Sequence, residues 1–309
     1  VERLQYDRYG GPELVHLARY SLVAPKAEEV LVRVAAASIN PLDWKLRRGD
    51  MKIFTGSKFP RGLGSDFAGT VEAVGPRVER FRPGDLVVGS VPMKQAGAFA
   101  PTVITSESYL VEKPAALTFG GAATLPIAGV TAWLALTRTT QLRRGQRLFI
   151  NGALGAVGQA AIGIARHIGT SIGGRVAPDS RQEAAKLGLD PILDYRDRIP
   201  DNLAHTFDVV FDCHGSLSFP DAERLVKTKG KVVHIAIDGA KMLKSMTSFT
   251  HKVLISNPTA ENLQPVVDLA AAGILEIPIV RSVPLAESAA LLAQIEGGLR
   301  LHGKAIITP

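Results

Sequence analysis

Cysteine is almost absent. One residue, Cys213, stands among 309. A single thiol excludes an intramolecular disulfide and a zinc lobe built from cysteines. It fits a reducing, cytoplasmic compartment. Aromatic residues are few as well, at 6% of the chain, with five Tyr and two Trp. That scarcity argues against the base stacking used by RNA-binding modules, and no aromatic and Arg/Lys motif is interleaved here. The opening "VERLQYDRYG" has no apolar h-region, so no signal peptide is expected. The longest uncharged run, "PAALTFGGAATLPIAGVTAWLALT" (114–137), is long enough by count to span a bilayer. Its Pro, Gly and Thr content excludes a predominantly apolar span and predicts a buried connection plus a helix, with no membrane partner. Internal repeats and low-complexity linkers are missing too.

What is present describes an ordinary globular chain. Hydrophobic residues make up 46% and charged residues 21%. A length of 309 residues exceeds the usual single core and predicts two domains. The net charge of +7 would attract anions. Its basic residues fall in short turn-like clusters, "KLRRG" (45–49), "LRRGQR" (142–147) and "KTKGK" (227–231). They read as a solvated surface, and no nucleic-acid partner is expected.

Two rhythms divide the chain. Residues 1–110 read as short strands. "EVLVRVAAASIN" is Val-rich and alternating, and "GTVEAVG" and "DLVVGSV" are punctuated by turns such as "RPGD". Strands at this spacing predict a partly closed barrel. From about residue 118 strands and helices alternate. "RLFINGA" leads into "AVGQAAIGIARHIG", then "TSIGGRV", "DSRQEAAKLG" and "FDVVFDCHG" follow. That order predicts parallel βαβ units in a doubly wound α/β sheet.

At the first strand-to-helix junction stands "INGALGAVGQAAIGIA" (150–165). Gly152 would end the strand, Gly155 would let a ligand approach the backbone, and Gly158 would let the helix sit close to the sheet. The turn Asn151, Gly152, Ala153, Leu154, Gly155, Ala156, Val157 and Gly158 would then present free N–H groups to a pyrophosphate. The spacing alone is weak, because small residues also serve plain helix packing. The strand before it, the helix after it and the later βα units make it a dinucleotide-binding turn.

NAD sites usually place an acidic residue about 20 residues further on. Here that region is "IGGRVAPDSRQE", with Arg175, Ser180 and Arg181 near the strand end. Guanidinium pairs well with phosphate, so the reading is NADPH rather than NADH. In "DCHG", Cys213 and His214 are adjacent and would face opposite sides of a strand, which excludes a nucleophile–base pair. His214 either borders the nicotinamide or is an inert, satisfied histidine.

Several landmarks now match one family. They are "QYDRYGGPE" (5–13), "ASINPLDWKLRRG" (37–49), "FPRGLGSDFAGTVEAVG" (59–75), "FRPGDLVVG" (81–89), "AATLPIAGVTAWLAL" (122–136), "NGALGAVG" (151–158) and "HGKAIIT" (302–308). In order and spacing the chain resembles the zinc-independent medium-chain dehydrogenases/reductases, in their quinone and enone oxidoreductase branch. The resemblance implies a GroES-like, partly closed β-barrel domain over 1–117 and 274–309, and a Rossmann NADPH-binding domain over 118–273. It implies hydride transfer from NADPH to a quinone or to the activated C=C bond of an enone, by a homodimer.

It also places Thr131 near the cofactor phosphates and Gly215 and Ile235 at later strand ends facing the cofactor. Asn40, Asp43 and Lys45 would line the substrate site, with the Asn40 amide as an enolate donor and Lys45 as a proton donor. Zinc-dependent relatives carry Cys near Ser38–Asn40 and a His-Glu pair where Ser65 and Asp66 stand, so no metal is expected. The chain departs from the family at Leu154, often Ser, at Ala156, often Gly, and at Pro101-Thr102, usually Glu-Tyr. Two other readings stay open: an enoyl-thioester reductase, and a non-catalytic NADPH-binding protein with a regulatory or RNA-binding role.

Overall fold

The fold is that of a computed structural model, which describes residues 1–21, 23–236 and 239–309. Along the chain come β1 (Glu2–Tyr6), β2 (His16–Arg19), β3 (Glu29–Ser38), α1 (Pro41–Arg48), α2 (Lys52–Thr55), β4 (Arg61–Gly62), β5 (Asp66–Val74), β6 (Leu86–Ser90), β7 (Thr102–Ser106), β8 (Leu110–Glu112) and α3 (Phe119–Ala123). Next are α4 (Pro126–Trp133), β9 (Arg147–Asn151), α5 (Ala156–Ile168), β10 (Ser171–Val176), α6 (Arg181–Lys186), β11 (Ile192–Asp194), β12 (Phe207–Asp212), α7 (Phe219–Leu225), β13 (Val226–His234), α8 (Gly239–Thr247) and β14 (His251–Val253). The chain closes with α9 (Ala260–Ala271), β15 (Ile279–Pro284), α10 (Ser288–Glu296) and β16 (Lys304–Thr308).

These elements form two compact units. The first comprises Val1–Ile127, Pro258–Ala271 and Ile277–Pro309. Its larger sheet runs β15-β16-β3-β5-β6-β8, with β7 also paired to β3. The alternation in "EVLVRV" turns Val30, Val32 and Val34 inward, where they meet Phe67, Val71, Val87 and Leu110. Each such side chain contributes about 1.5–3 kcal/mol when fully buried. Register shifts at Leu31/Val32 and Val34/Ala36 mark irregularities that bend β3, as a barrel-like sheet requires. This is the GroES-like β unit.

The second unit comprises Ala128–Asn257 and Ala272–Glu276. Its six strands are all parallel and ordered β11-β10-β9-β12-β13-β14. In order of first appearance that is 3-2-1-4-5-6, the doubly wound Rossmann order, with its switch point between β9 and β12. Phe149, Phe207, Val210, Leu225 and Val232 fill one face. The α5 helix begins after Gly155 and ends at Gly169, whose φ of +87° terminates it in the left-handed region.

Two stretches that the sequence reading assigned to the nucleotide domain pack elsewhere. Residues 118–127 and 258–271 belong to the first unit. The α3 helix lies against β3 and β5, and α9 against β8. The uncharged run 114–137 breaks into α3, α4 and a π-helical turn, Leu134–Thr139. Thr118 caps α3 by accepting from the Gly121 N–H at 3.0 Å, and Pro126 opens α4. Among the described residues no helix is long and apolar enough to cross a membrane.

Candidate active site

The glycine turn lies at the C-terminal end of β9, in the second unit. Gly152 has φ +87°, a backbone that L side chains rarely adopt. Its N–H and that of Ala153 bond to the Arg175 carbonyl at 3.1 and 3.3 Å, which pins the turn to β10. Gly158 is the tightest point. A Cβ there would stand 2.4 Å from the Gly152 oxygen and 2.5 Å from the Ala153 oxygen. Gly155, at the mouth of α5, is exposed, and no side chain caps the helix. The N–H groups of the first turn, Ala156, Val157 and Gly158, therefore sit at an uncapped, open helix N-terminus. Leu154 is buried, and its carbonyl accepts from Gln159 Nε2 at 3.0 Å. These residues fit a pyrophosphate.

A polar row crosses the sheet beside this turn. Strand register aligns Arg175, Asn151, Asp212 and His234 on four neighbouring strands. Asn151 Nδ2 donates to Asp212 Oδ1 at 2.8 Å. Gly215, with φ +89°, donates its N–H to the same oxygen at 2.8 Å. Ile235 follows β13, and His214 is exposed, with Nδ1 3.0 Å from Ser216 Oγ. The turn residues, Gly215 and Ile235 thus share the C-terminal edge of one sheet. Thr131 lies in α4, where its hydroxyl meets Ser256 Oγ at 2.7 Å. Cys213 is half-buried, and burial with Asp212 beside it pushes its thiol pKa up.

The phosphate-binding expectation needs correction at Arg175 and Ser180. The Arg175 side chain is only 4% exposed, whereas that of Arg181 is 54% exposed. Arg175 donates to the Asp197 carbonyl at 2.9 Å and faces Asp221 at 3.8 Å. Its charge is spent inside the fold because the register turns it to the face that α7 covers. Ser180 is buried, and its hydroxyl donates to Asp179 at 3.0 Å. Arg181 keeps an accessible guanidinium, anchored to the Ile192 carbonyl at 2.8 Å and 3.8 Å from the exposed Asp197 carboxylate.

The first unit holds a buried ionic cluster around the start of α1. Pro41 opens this helix, and Asn40 and Asp43 form a reciprocal capping box. Asp43 accepts from the Asn40 N–H at 2.7 Å. Asn40 Nδ2 donates to Asp66 at 3.0 Å and to the Ser38 carbonyl at 3.2 Å. Its Oδ1 accepts from Lys304, whose ammonium also donates to Ser38 Oγ and the Ile39 carbonyl, both at 3.1 Å. Asp66 further accepts from the Ile127 N–H at 3.0 Å. Burial raises the Asp43 pKa to about 7 and the Asp66 pKa to about 6, against the pull of Lys304. Burial likewise lowers the Lys304 pKa.

This cluster changes the expected role of Asn40 and Asp43. Both side chains are buried, and both Asn40 amide hydrogens are committed inside the protein. The Asn40 amide has no hydrogen left for an enolate oxygen, and the Asp43 carboxyl is buried. They position α1 instead. Lys45 lies half-buried in the last turn of that helix. The neighbouring Arg47 is fully buried and pairs with Glu296 of α10, which locks the helix in place. Lys304 and Asp66 had no assigned role in the sequence reading. Their signal was an acidic residue in "GSDFAG" and a lysine in "HGKAII", each opening a strand of apolar and small residues.

Among the described residues, no group of three or more His, Cys, Asp or Glu forms a candidate metal site. The charge set against Asp66 and Asp43 is the ammonium of Lys304.

A Rossmann sheet with an open glycine turn, on one chain with a GroES-like β unit, defines a nicotinamide-dependent oxidoreductase. Comparison with known proteins agrees. Residues 26–115 match the alcohol dehydrogenase GroES-like domain, and residues 187–307 the zinc-binding dehydrogenase model. A chloroplast envelope quinone oxidoreductase homolog of Arabidopsis thaliana is 30% identical over 328 residues, covering 100% of this chain and 98% of its own. A chloroplastic NADPH-dependent alkenal/one oxidoreductase of the same plant is 35% identical over 245 residues, covering 76% of this chain and 62% of its own. The quinone oxidoreductase structure from Coxiella burnetii superposes with a TM-score of 0.89 at 26% identity, over 100% of this chain and 99% of that one. The chain belongs to the medium-chain dehydrogenase/reductase family, in its quinone oxidoreductase branch.

Proposed function

We propose that this protein reduces a quinone, or the activated C=C bond of an enone, with NADPH and without a catalytic zinc. The observation that carries the reading is the donor chemistry of the α1 cluster. Where zinc-dependent relatives place thiolate and imidazole, this chain has Ser38, Asn40, Ser65 and Asp66. A buried ammonium, Lys304, already balances the carboxylates. The names of the Arabidopsis relatives, a quinone oxidoreductase homolog and an alkenal/one oxidoreductase, support the substrate class. The homodimer rests on the family resemblance.

When bound, the reduced nicotinamide supplies the hydride. The protein's part is placement and charge. The uncapped N-terminus of α5 would hold the pyrophosphate, and Arg181 the 2′-phosphate. As an enone is reduced, negative charge grows on its oxygen. A donor aimed there lowers the barrier by about 2.7–4 kcal/mol. Lys45 is the proton donor in this reading, held by the helix that Asn40, Asp43 and Arg47 fix. A quinone needs less help, because water can protonate the hydroquinone.

The test is a panel of quinones and enones with NADPH and NADH, with metal content measured alongside. NADPH oxidation by at least one class in zinc-free protein is the expected result; activity that follows bound zinc would overturn the proposal. Arg181→Ala should raise the KM for NADPH about tenfold while leaving that for NADH nearly unchanged, a loss of roughly 1.4 kcal/mol. A wild-type preference for NADH would sink the 2′-phosphate assignment. Lys45→Ala should slow enone reduction about 100-fold, at the lower end of general acid catalysis, and quinone reduction much less. Equal losses on both substrates would remove Lys45 as the proton donor.

A further inference from the structure

Asp212 ties together three strand ends. Its Oδ1 accepts from Asn151 and from the Gly215 N–H, both at 2.8 Å. Its Oδ2 faces Lys241 Nζ at 3.2 Å and His234 Nδ1 at 3.1 Å. Lys241 also donates to the carbonyls of Gly215 at 2.7 Å and Ala236 at 3.2 Å. One carboxylate thereby links the side chains that end β9 and β13 with the backbone that leaves β12, at the edge that would carry the cofactor.

Behind Asp212 stand two buried histidines. His234 Nε2 lies 3.0 Å from His251 Nδ1, and the two ring planes are within 4° of parallel with centroids 5.4 Å apart. Phe219 of α7 packs edge-on against both. A carboxylate only accepts, so His234 Nδ1 carries a hydrogen toward Asp212. In neutral His234 the Nε2 is then an acceptor, and His251 Nδ1 carries the next hydrogen. Neutral His251 is left with a bare Nε2, 3.4 Å from Glu223 Oε1. Two acceptors face each other there. One added proton on His251 Nε2 would complete an unbroken chain from Asp212 to Glu223.

Other groups resist that proton. Burial is the main cause, and His234 and Lys244 add to it, holding His251 below its ordinary pKa; Glu223 opposes them. Glu223 is itself engaged by Lys244 at 2.8 Å, and Lys241 lies on the far side of Asp212. The phosphates of a bound NADPH would bring negative charge to the C-terminal edge of this sheet, which favours the protonated form.

We infer that His234 and His251 are positioning residues of the cofactor site, acting through Asp212, and that His251 takes up a proton at Nε2 when NADPH binds. The inference rests on the cofactor reading above. By reciprocity, protonation strengthens binding. Calorimetric titration of the intact protein with NADPH, in two buffers of different ionisation enthalpy, counts the protons. The 2′-phosphate titrates too, so the comparison is between wild type and His251→Gln. Wild type should take up more protons, and its affinity should rise about fivefold more than the variant's from pH 8 to pH 6. The KM for NADPH should follow that profile while kcat does not.

Equal proton uptake in wild type and in folded His251→Gln overturns the inference. Failure of either protein to bind NADPH at all is a failure of the cofactor reading, and the heats distinguish the two. Should His251→Gln fail to fold, ring ¹⁵N shifts of labelled histidines in the wild type read the same event. Unchanged ring protonation on adding NADPH then overturns it.

Discussion

Lys304→Met is expected to lower the unfolding free energy by about 3–5 kcal/mol, the usual cost of removing one partner from a buried ionic group. The ammonium serves Ser38, Ile39 and Asn40 at once and balances Asp43 and Asp66. Methionine fills similar space but leaves those acceptors without their donor. The loss should depend on pH. Asp43 and Asp66 rise from an ordinary 3.8 to about 7 and about 6. At these two groups the folded protein holds more protons than the unfolded chain, and their contribution to stability falls as pH rises from about 4 to about 7. Without Lys304 the two values climb further, and the fall extends upward. Denaturant unfolding at pH 5 and pH 8 should show the larger loss at pH 8. Adding Asp66→Asn should recover part of it. An equal loss at both pH values would mean that packing, not charge, is what Lys304 provides.

Gly158→Ala should weaken NADPH binding at least about tenfold, equivalent to ~1.4 kcal/mol. A Cβ at 2.4 Å from the Gly152 oxygen has only the Gly152–Ala153 backbone as its nearest neighbours and no flexible side chain to displace. The α5 helix must move away from the turn, and its first N–H groups move with it. Such overpacking costs about 1–3 kcal/mol of stability. Fluorescence titration with NADPH and a thermal melt measure the two effects. A folded variant with unchanged affinity would remove this turn from the cofactor site. The change is sharper than at Gly155, where a Cβ meets only the Gly152 oxygen at 3.5 Å.

Most of the second unit was legible in the residue order. Local signals were enough there. Runs of Val, Ile and Phe make buried parallel strands, Gly152 ends the first of them, and helices follow β9, β10, β12 and β13 in turn. The expected turn at 151–158 forms at the junction of β9 and α5. The α1 site was half legible. The Asn40–Asp43 capping box is four residues long and can be read locally. What Asn40 bonds to cannot. Its partners, Asp66 and Lys304, are 26 and 264 positions away. They meet because β3 pairs antiparallel with both β5 and β16, which brings Ser38 opposite Asp66 and Ile306.

Arg175 shows the same limit from the other side. Its place at a strand end after a dinucleotide turn was evident. Which face its side chain took was set by register with Asn151 and by α7 lying over that face. The two histidines behind Asp212 gave no signal, since His234 and His251 lie 17 residues apart and meet only across adjacent parallel strands.

By itself, then, the sequence determined the two-part architecture, the glycine turn and the lack of thiolate and imidazole ligands. Each of these depends on periodicity, on a single backbone conformation or on composition. The tertiary structure decided which charges are spent inside the fold and which remain accessible. Burial and strand register bring distant residues within hydrogen-bonding range, and that proximity sets whether an Asn is a donor to substrate or a strut, and whether an Arg meets a phosphate or a carbonyl.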